Sequence, residues 1–157
     1  IRQVQDFLER RIAIENTSYY VQSPLNQMDE LTFVNAVLQE ADCDLQLDVN
    51  NVFVNSVNHA FDAAAYIQGL PQNSVVYMHI AGHEQMEKNL IIDTHGADVI
   101  DPVWALLNLA YQKFGVQPTL LERDFNLPDF STLLQEVQKI HRYQQQGAVE
   151  LGTQKNG

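Results

Sequence analysis

Short apolar runs of strand type, each closing on an Asp, Glu or His, constrain this chain more than any other feature. RIAI leads into Glu15-Asn16, LQL into Asp48-Val49-Asn50-Asn51, VVYM into His79, LII into Asp93-Thr94-His95, and TLL into Glu122-Arg123-Asp124. Helical segments alternate with these runs, which implies an α/β fold with a parallel sheet covered by helices. In such sheets the carboxyl ends of the strands share one face, and ligands bind there. The pattern therefore gathers Glu15, Asp48, His79, Asp93, His95 and Glu122 around one mouth. Carboxylates and imidazoles together suit iron, manganese or zinc. The densest stretch is 74–95, SVVYMHIAGHEQMEKNLIIDTH, which holds three of the chain's five histidines.

The helices are read from apolar spacing. Val4, Phe7 and Leu8 predict one before Arg11, and Leu31, Val34, Val37 and Leu38 predict a second. A third falls at about 61–69 and closes at Pro71, and PVWALLNLAYQKFG has Pro102 in its first turn and Gly115 at its stop. The last helix carries Phe130, Leu133, Leu134, Val137 and Ile140 on its inner face. TSYYVQSPLNQ reads as loop, and VFVNSVNHAFD as a mixed segment. Residues 1–146 form one domain on this reading, and 147–157 a flexible tail. The unit strand–helix recurs four times, with one extra strand or hairpin arm. Either an open doubly wound sheet or part of a (β/α)8 barrel fits, but a whole barrel needs at least ~200 residues. A chain of 157 residues that starts with Ile in what reads as mid-helix is expected to be a piece of a longer protein.

A net charge of −11 disfavours nucleic acid and anionic membranes as partners. No apolar run approaches the ~20 residues of a membrane span. The single cysteine, Cys43, excludes an intramolecular disulfide and predicts a reducing, cytoplasmic setting. Its place at a strand start suits a buried thiol better than a nucleophile, and no G-x-S-x-G or phosphate-cradling loop is present. Taken singly, Asp48 and Asn50 could cap a helix, Glu122 could pair with Arg123 or Arg11, and His79 could be a core histidine. His59 and His141 read as surface or loop residues. The coincidence of five strand ends favours a metal site.

IAIEN, LQLDVNNVFVNSVNH, MHIAGH, LIIDTHGADVIDPVWAL and PTLLERD, in this order, resemble the multinuclear non-heme iron-dependent oxidative enzymes, which are xylose-isomerase-like TIM barrels. The resemblance runs from about residue 10 to residue 140 and covers the C-terminal half of such a barrel. It implies two or three irons at the barrel mouth and a dioxygen-dependent oxidation of cysteines in a ribosomally made precursor peptide, giving oxazolone–thioamide or other rearranged groups. The implied iron ligands are Glu15, Asp48, His79, Asp93, His95 and Glu122, with Glu15 as a carboxylate bridging two metals. Asn51, His83 and Arg123 are implied as extra ligands or as residues that orient the ligands, and Arg123 and Asp124 as positioning substrate or supporting Glu122. The N-terminal half of the barrel, with two further histidine ligands, lies outside this chain. The implied partners are the precursor peptide, a protein that delivers it, and that missing half; self-association over the open edge is an alternative.

Two other readings use the same residues. The superfamily also holds divalent-metal sugar isomerases and zinc endonuclease-like hydrolases, with manganese or zinc in place of iron. The charge disfavours DNA, and no lysine follows the strands as a sugar isomerase would want. A half barrel that serves only as an inactive fragment or scaffold is the non-enzymatic reading.

Overall fold

In DLQLD, Leu45 and Leu47 are fully buried, while Gln46 between them points to the other face of the sheet. The structure, a computed structural model, describes the backbone of residues 1–154 and the side chains of residues 1–147. The first half runs α1 (Arg2–Leu8), β1 (Ala13–Glu15), α2 (Glu30–Ala41), β2 (Asp44–Asp48), α3 (Val49–His59) and α4 (Ala63–Gly69). The second runs β3 (Val75–Ala81), β4 (Glu84–Glu87), β5 (Leu90–Ile92), α5 (Asp101–Phe114), β6 (Thr119–Glu122) and α6 (Phe130–Gln154).

Among the described residues, β1, β2, β3 and β6 form a four-stranded parallel sheet in that order. This is an α/β fold of the kind expected for part of a (β/α)8 barrel. Apolar residues of the inner strands meet α3, α4 and α5 in one core that includes Leu45, Leu47, Met78, Ile80, Val103, Trp104 and Tyr111. Trp104 satisfies its indole N–H on the carbonyl of Val99 at 3.0 Å. Cys43 is a free thiol, 2% exposed, and burial raises its pKa, as expected of a packing residue. No helix among the described residues is long and apolar enough to cross a membrane.

Four details depart from the sequence reading. The mixed segment is a helix, α3. Its β-branched and Asn-rich sequence has weak helix propensity, but Asp48 caps its start and Val49, Val52 and Val54 are buried, so packing overrides propensity. Asn50 and Asn51 therefore sit in a first helical turn rather than at a strand end. LII is β5, which pairs antiparallel with β4 in a separate hairpin, so Asp93 and His95 do not follow a strand of the parallel sheet. The inner face expected for the last helix is mostly open: Ile140 is 4% exposed, but Val137 is 47% and Phe130 77%. The physical reason is position, because β6 is an edge strand. Finally, α6 continues through Gly147 to Gln154, where a tail was expected; residues 155–157 lie outside the described residues.

Candidate metal centre

Parallel pairing places four donors side by side at the carboxyl ends of the sheet. Asp48 is in register with His79, and Glu122 with Ala81, two residues further along β3. His79 Nδ1 lies 3.1 Å from Glu15 Oε1, 3.1 Å from Glu122 Oε2 and 3.9 Å from Asp48 Oδ2. One donor atom from each of these residues falls within 4.8 Å of all the others. Metal–ligand bonds of about 2.0–2.2 Å put the donors of one ion at such separations.

The donor set also fits an ion by its chemistry. One imidazole nitrogen cannot donate to two carboxylates at once, and three carboxylates this close repel one another without a cation. Asp48 Oδ2 is buried and has no hydrogen-bond partner among the described residues, while Oδ1 accepts from the Asn51 backbone N–H at 2.8 Å. Burial pushes the Asp48 carboxyl up to about 7, partly offset by that Asn51 bond, with Asp93 and Glu15 adding to the rise.

A second group adjoins the first. His95, Glu122 and Asp124 form it, and Glu122 belongs to both. Glu122 is the carboxylate common to both groups, while Glu15 belongs to the first alone. His95 Nδ1 is 3.2 Å from Asp124 Oδ2 and 3.7 Å from Glu122 Oε2. Its Nε2 lies 2.7 Å from Asp93 Oδ1, yet without hydrogen-bond alignment. At that distance a protonated Nε2 meets the Asp93 carboxylate directly, and this contact, added to by the Asp93 charge, holds the His95 imidazolium up to about 9.

The loop that carries these ligands is tightly held. His95 has φ 52°, a left-handed conformation that costs a non-glycine residue about 1 kcal/mol or more. Its carbonyl accepts from the Asp124 N–H at 3.0 Å. Gly82 passes so close to this loop that an added Cβ would lie 1.9 Å from the Ala97 carbonyl oxygen. Gly82→Ala is expected to destabilise the protein by about 1–3 kcal/mol by overpacking. It should also perturb His95, measured as a lower denaturant midpoint together with altered metal binding.

Hydrogen bonds around the donors fix their aim. Asn16 bonds both the N–H and the C=O of Asp48 at 2.9 Å, and Asn51 Nδ2 donates to the Asn16 carbonyl. Asn51 therefore sits behind Asp48. Asn50 Nδ2 donates to Asp93 Oδ1 at 2.8 Å, and His83 Nδ1 meets Asn50 Oδ1 at 2.8 Å, so His83 acts on Asp93 through Asn50. Burial lowers the His83 pKa, which favours the neutral ring. Ser18 Oγ donates to Asp93 Oδ2, and the Tyr20 hydroxyl accepts from the Asp93 N–H. Asn50→Ala is expected to weaken metal affinity by about 10- to 100-fold with the fold intact, read by metal titration and circular dichroism.

Arg123 turns elsewhere: its guanidinium is 6% exposed and bridges Asp98 and Glu136. His59 lies away from both groups, and His141 is exposed beside Gln145. Asn16, Ser18 and Tyr20 were not foreseen, because loop residues with no periodic pattern reveal contacts only after folding.

A family described as RiPP precursor modification enzyme MbnB/TglH/ChrH matches residues 1–145. The chain belongs to that family. It is also 60% identical over 148 residues to a UPF0276 protein of Nitrosospira multiformis, covering 94% of this chain and 52% of that protein. With a UPF0276 protein of Alcanivorax borkumensis it shares 59% identity over 149 residues, 92% of this chain and 50% of that one. A UPF0276 protein of Neisseria meningitidis is 54% identical over 152 residues, with 96% and 54% covered. The chain thus spans about half the length of the relatives it matches.

Proposed function

We propose that this chain is the C-terminal half of a multinuclear iron enzyme that oxidises cysteine residues of a ribosomally made precursor peptide with dioxygen. The observation that carries the reading is the pair of adjoining donor groups sharing Glu122, in a chain of a RiPP precursor modification family. Two groups with one carboxylate in common suit more than one ion, as a multinuclear site requires.

Glu15, Asp48, His79 and Glu122 would hold one ion, and His95, Glu122 and Asp124 a second, with Asp93 against the other nitrogen of His95. Iron held there would supply the redox chemistry, taking electrons from the bound cysteine and passing them to dioxygen. The protein's own part is positional. The sheet fixes the spacing of Glu15, Asp48, His79 and Glu122, and the Asn50–His83 and Ser18–Tyr20 contacts hold Asp93. Half-buried Asp93 and His95 and the buried Asp48 keep much of the site out of bulk water, which strengthens each charge interaction there.

The test is metal analysis of the full-length protein combined with mass spectrometry of a co-expressed precursor peptide. Two or three irons per chain and an oxygen-dependent mass change at cysteine are expected. Zinc or manganese in place of iron, with the peptide mass unchanged, would sink the reading.

A further inference from the structure

A cavity of about 320 Å³ lies where the 17–29 loop meets the starts of α2 and α4 and the end of α3. Tyr19, Asp29, Glu30, His59, Asp62 and Tyr66 are among its lining residues, none of which belongs to the candidate metal groups. No lysine or arginine lines it among the described residues.

Its walls are unbalanced toward acceptors and negative charge. Tyr66 is 3% exposed, and its hydroxyl has no hydrogen-bond partner among the described residues. The acceptor beside it is the Glu30 carboxylate. Glu30 accepts from the Asn55 amide at 3.2 and 3.3 Å and also faces the Tyr19 and Tyr66 hydroxyls; burial raises its pKa, and these contacts offset part of the rise. His59 donates its Nε2–H to the Tyr19 carbonyl at 2.8 Å, which leaves Nδ1 as an acceptor in the neutral ring. The rings of Tyr19 and His59 stack at 4.0 Å, so one wall is a rigid aromatic face.

The two helix starts do not reverse this balance. Asp29 already caps α2 through Thr32 N, and Asp62 caps α4 through Ala65 N, each with one carboxylate oxygen. An anion would meet three carboxylates. A cation with several N–H donors would meet the Glu30 carboxylate and aromatic faces that attract positive charge.

We propose that this cavity binds an alkylammonium or guanidinium group, of the kind carried by a lysine or arginine side chain or a small amine. The segment that lines it continues directly to the metal centre, since Ser18 and Tyr20 bond Asp93 while Tyr19 stacks on His59. A bound basic group would therefore sit at a fixed offset from the donor groups. The proposal does not depend on which metal they hold.

The experiment is a titration of the full-length protein with n-butylammonium and n-butylguanidinium, followed through the amide resonances of residues 62–66. Saturable shifts are expected with both cations, and at least tenfold weaker binding for n-pentanol, a neutral molecule of similar length. Glu30→Gln should weaken cation binding at least fivefold while keeping the Asn55 contact. Asp62→Asn, which still caps α4, gives a second reading should Glu30→Gln fail to fold, with a loss of at least twofold expected. Pentanol binding as well as the cations, or unchanged cation binding in the variant that folds, overturns the proposal, as does preferential binding of acetate. A lysine peptide that displaces butylammonium, while its norleucine counterpart does not, identifies the peptide side chain as the source; displacement by free amines alone identifies a small amine.

Discussion

Asparagine at position 48 is expected to abolish metal binding and, at the same time, to stabilise the metal-free protein above neutral pH. Asp48 Oδ1 caps α3, a role that an asparagine oxygen fills equally well, while Oδ2 is buried without a partner. The folded-state pKa is raised from 3.8 to about 7. The folded protein therefore binds the extra proton, and its contribution to stability is lost as pH rises from about 4 to about 7. With 1.36 kcal/mol per pKa unit as a ceiling, relief of this burden at pH 8 is expected to be about 2–4 kcal/mol. His95, raised to about 9 by Asp93, acts in the same direction: its contribution is complete below 6.5 and lost as pH climbs through about 9.

The metal-free wild type should thus weaken steadily from about pH 4 to about pH 9, and the variant should be nearly flat over the acidic half of that range. Metal binding must displace both protons, so affinity should rise with pH over the same interval. Denaturant midpoints at several pH values check the first statement, and iron content per chain the second. An Asp48→Asn protein that binds as much metal as the wild type would reduce Asp48 to a helix cap.

Arg123→Leu is expected to be the most damaging substitution to the fold, at about 3–5 kcal/mol. The guanidinium joins the end of β6 to Glu136 of α6, whose carboxylate side chain is 14% exposed and also accepts from the Val99 N–H. Without its partner, Glu136 is left as a nearly buried, unpaired charge. Asp98 is 81% exposed and should add little. Adding Glu136→Leu to Arg123→Leu should recover much of the loss, because removing both charges costs less than removing one. Urea unfolding of the single and double variants of the full-length protein reads this directly. Equal stability of the two would show that the ion pair is not the source of the effect.

The positions of Glu15, Asp48 and Glu122 were legible from the chain because each closes its strand where the apolar run stops, whereas His79 lies two residues inside β3, which runs on to Ala81. Parallel pairing then puts such ends on one face whatever the details of the loops. Pro102 and Gly115 marked α5 for similarly local reasons, a first-turn residue with no N–H to lose and a stop at φ 82°, ψ 170°, a backbone conformation essentially only glycine adopts. α3 was not legible, since VNNVFVNSVNH has neither the propensity nor the spacing of a good helix and is held by burial.

By itself, the sequence determined the alternation of strand and helix, the acidic charge, and that Glu15, Asp48 and Glu122 close strands of the sheet. Those follow from periodicity and composition, which are properties of neighbours along the chain. Only the tertiary structure decided that Asp93 and His95 arrive on a hairpin, that Glu122 is the carboxylate common to two donor groups, and that Arg123 turns away to Glu136. These depend on where side chains far apart in sequence meet, and local patterning carries no record of such encounters.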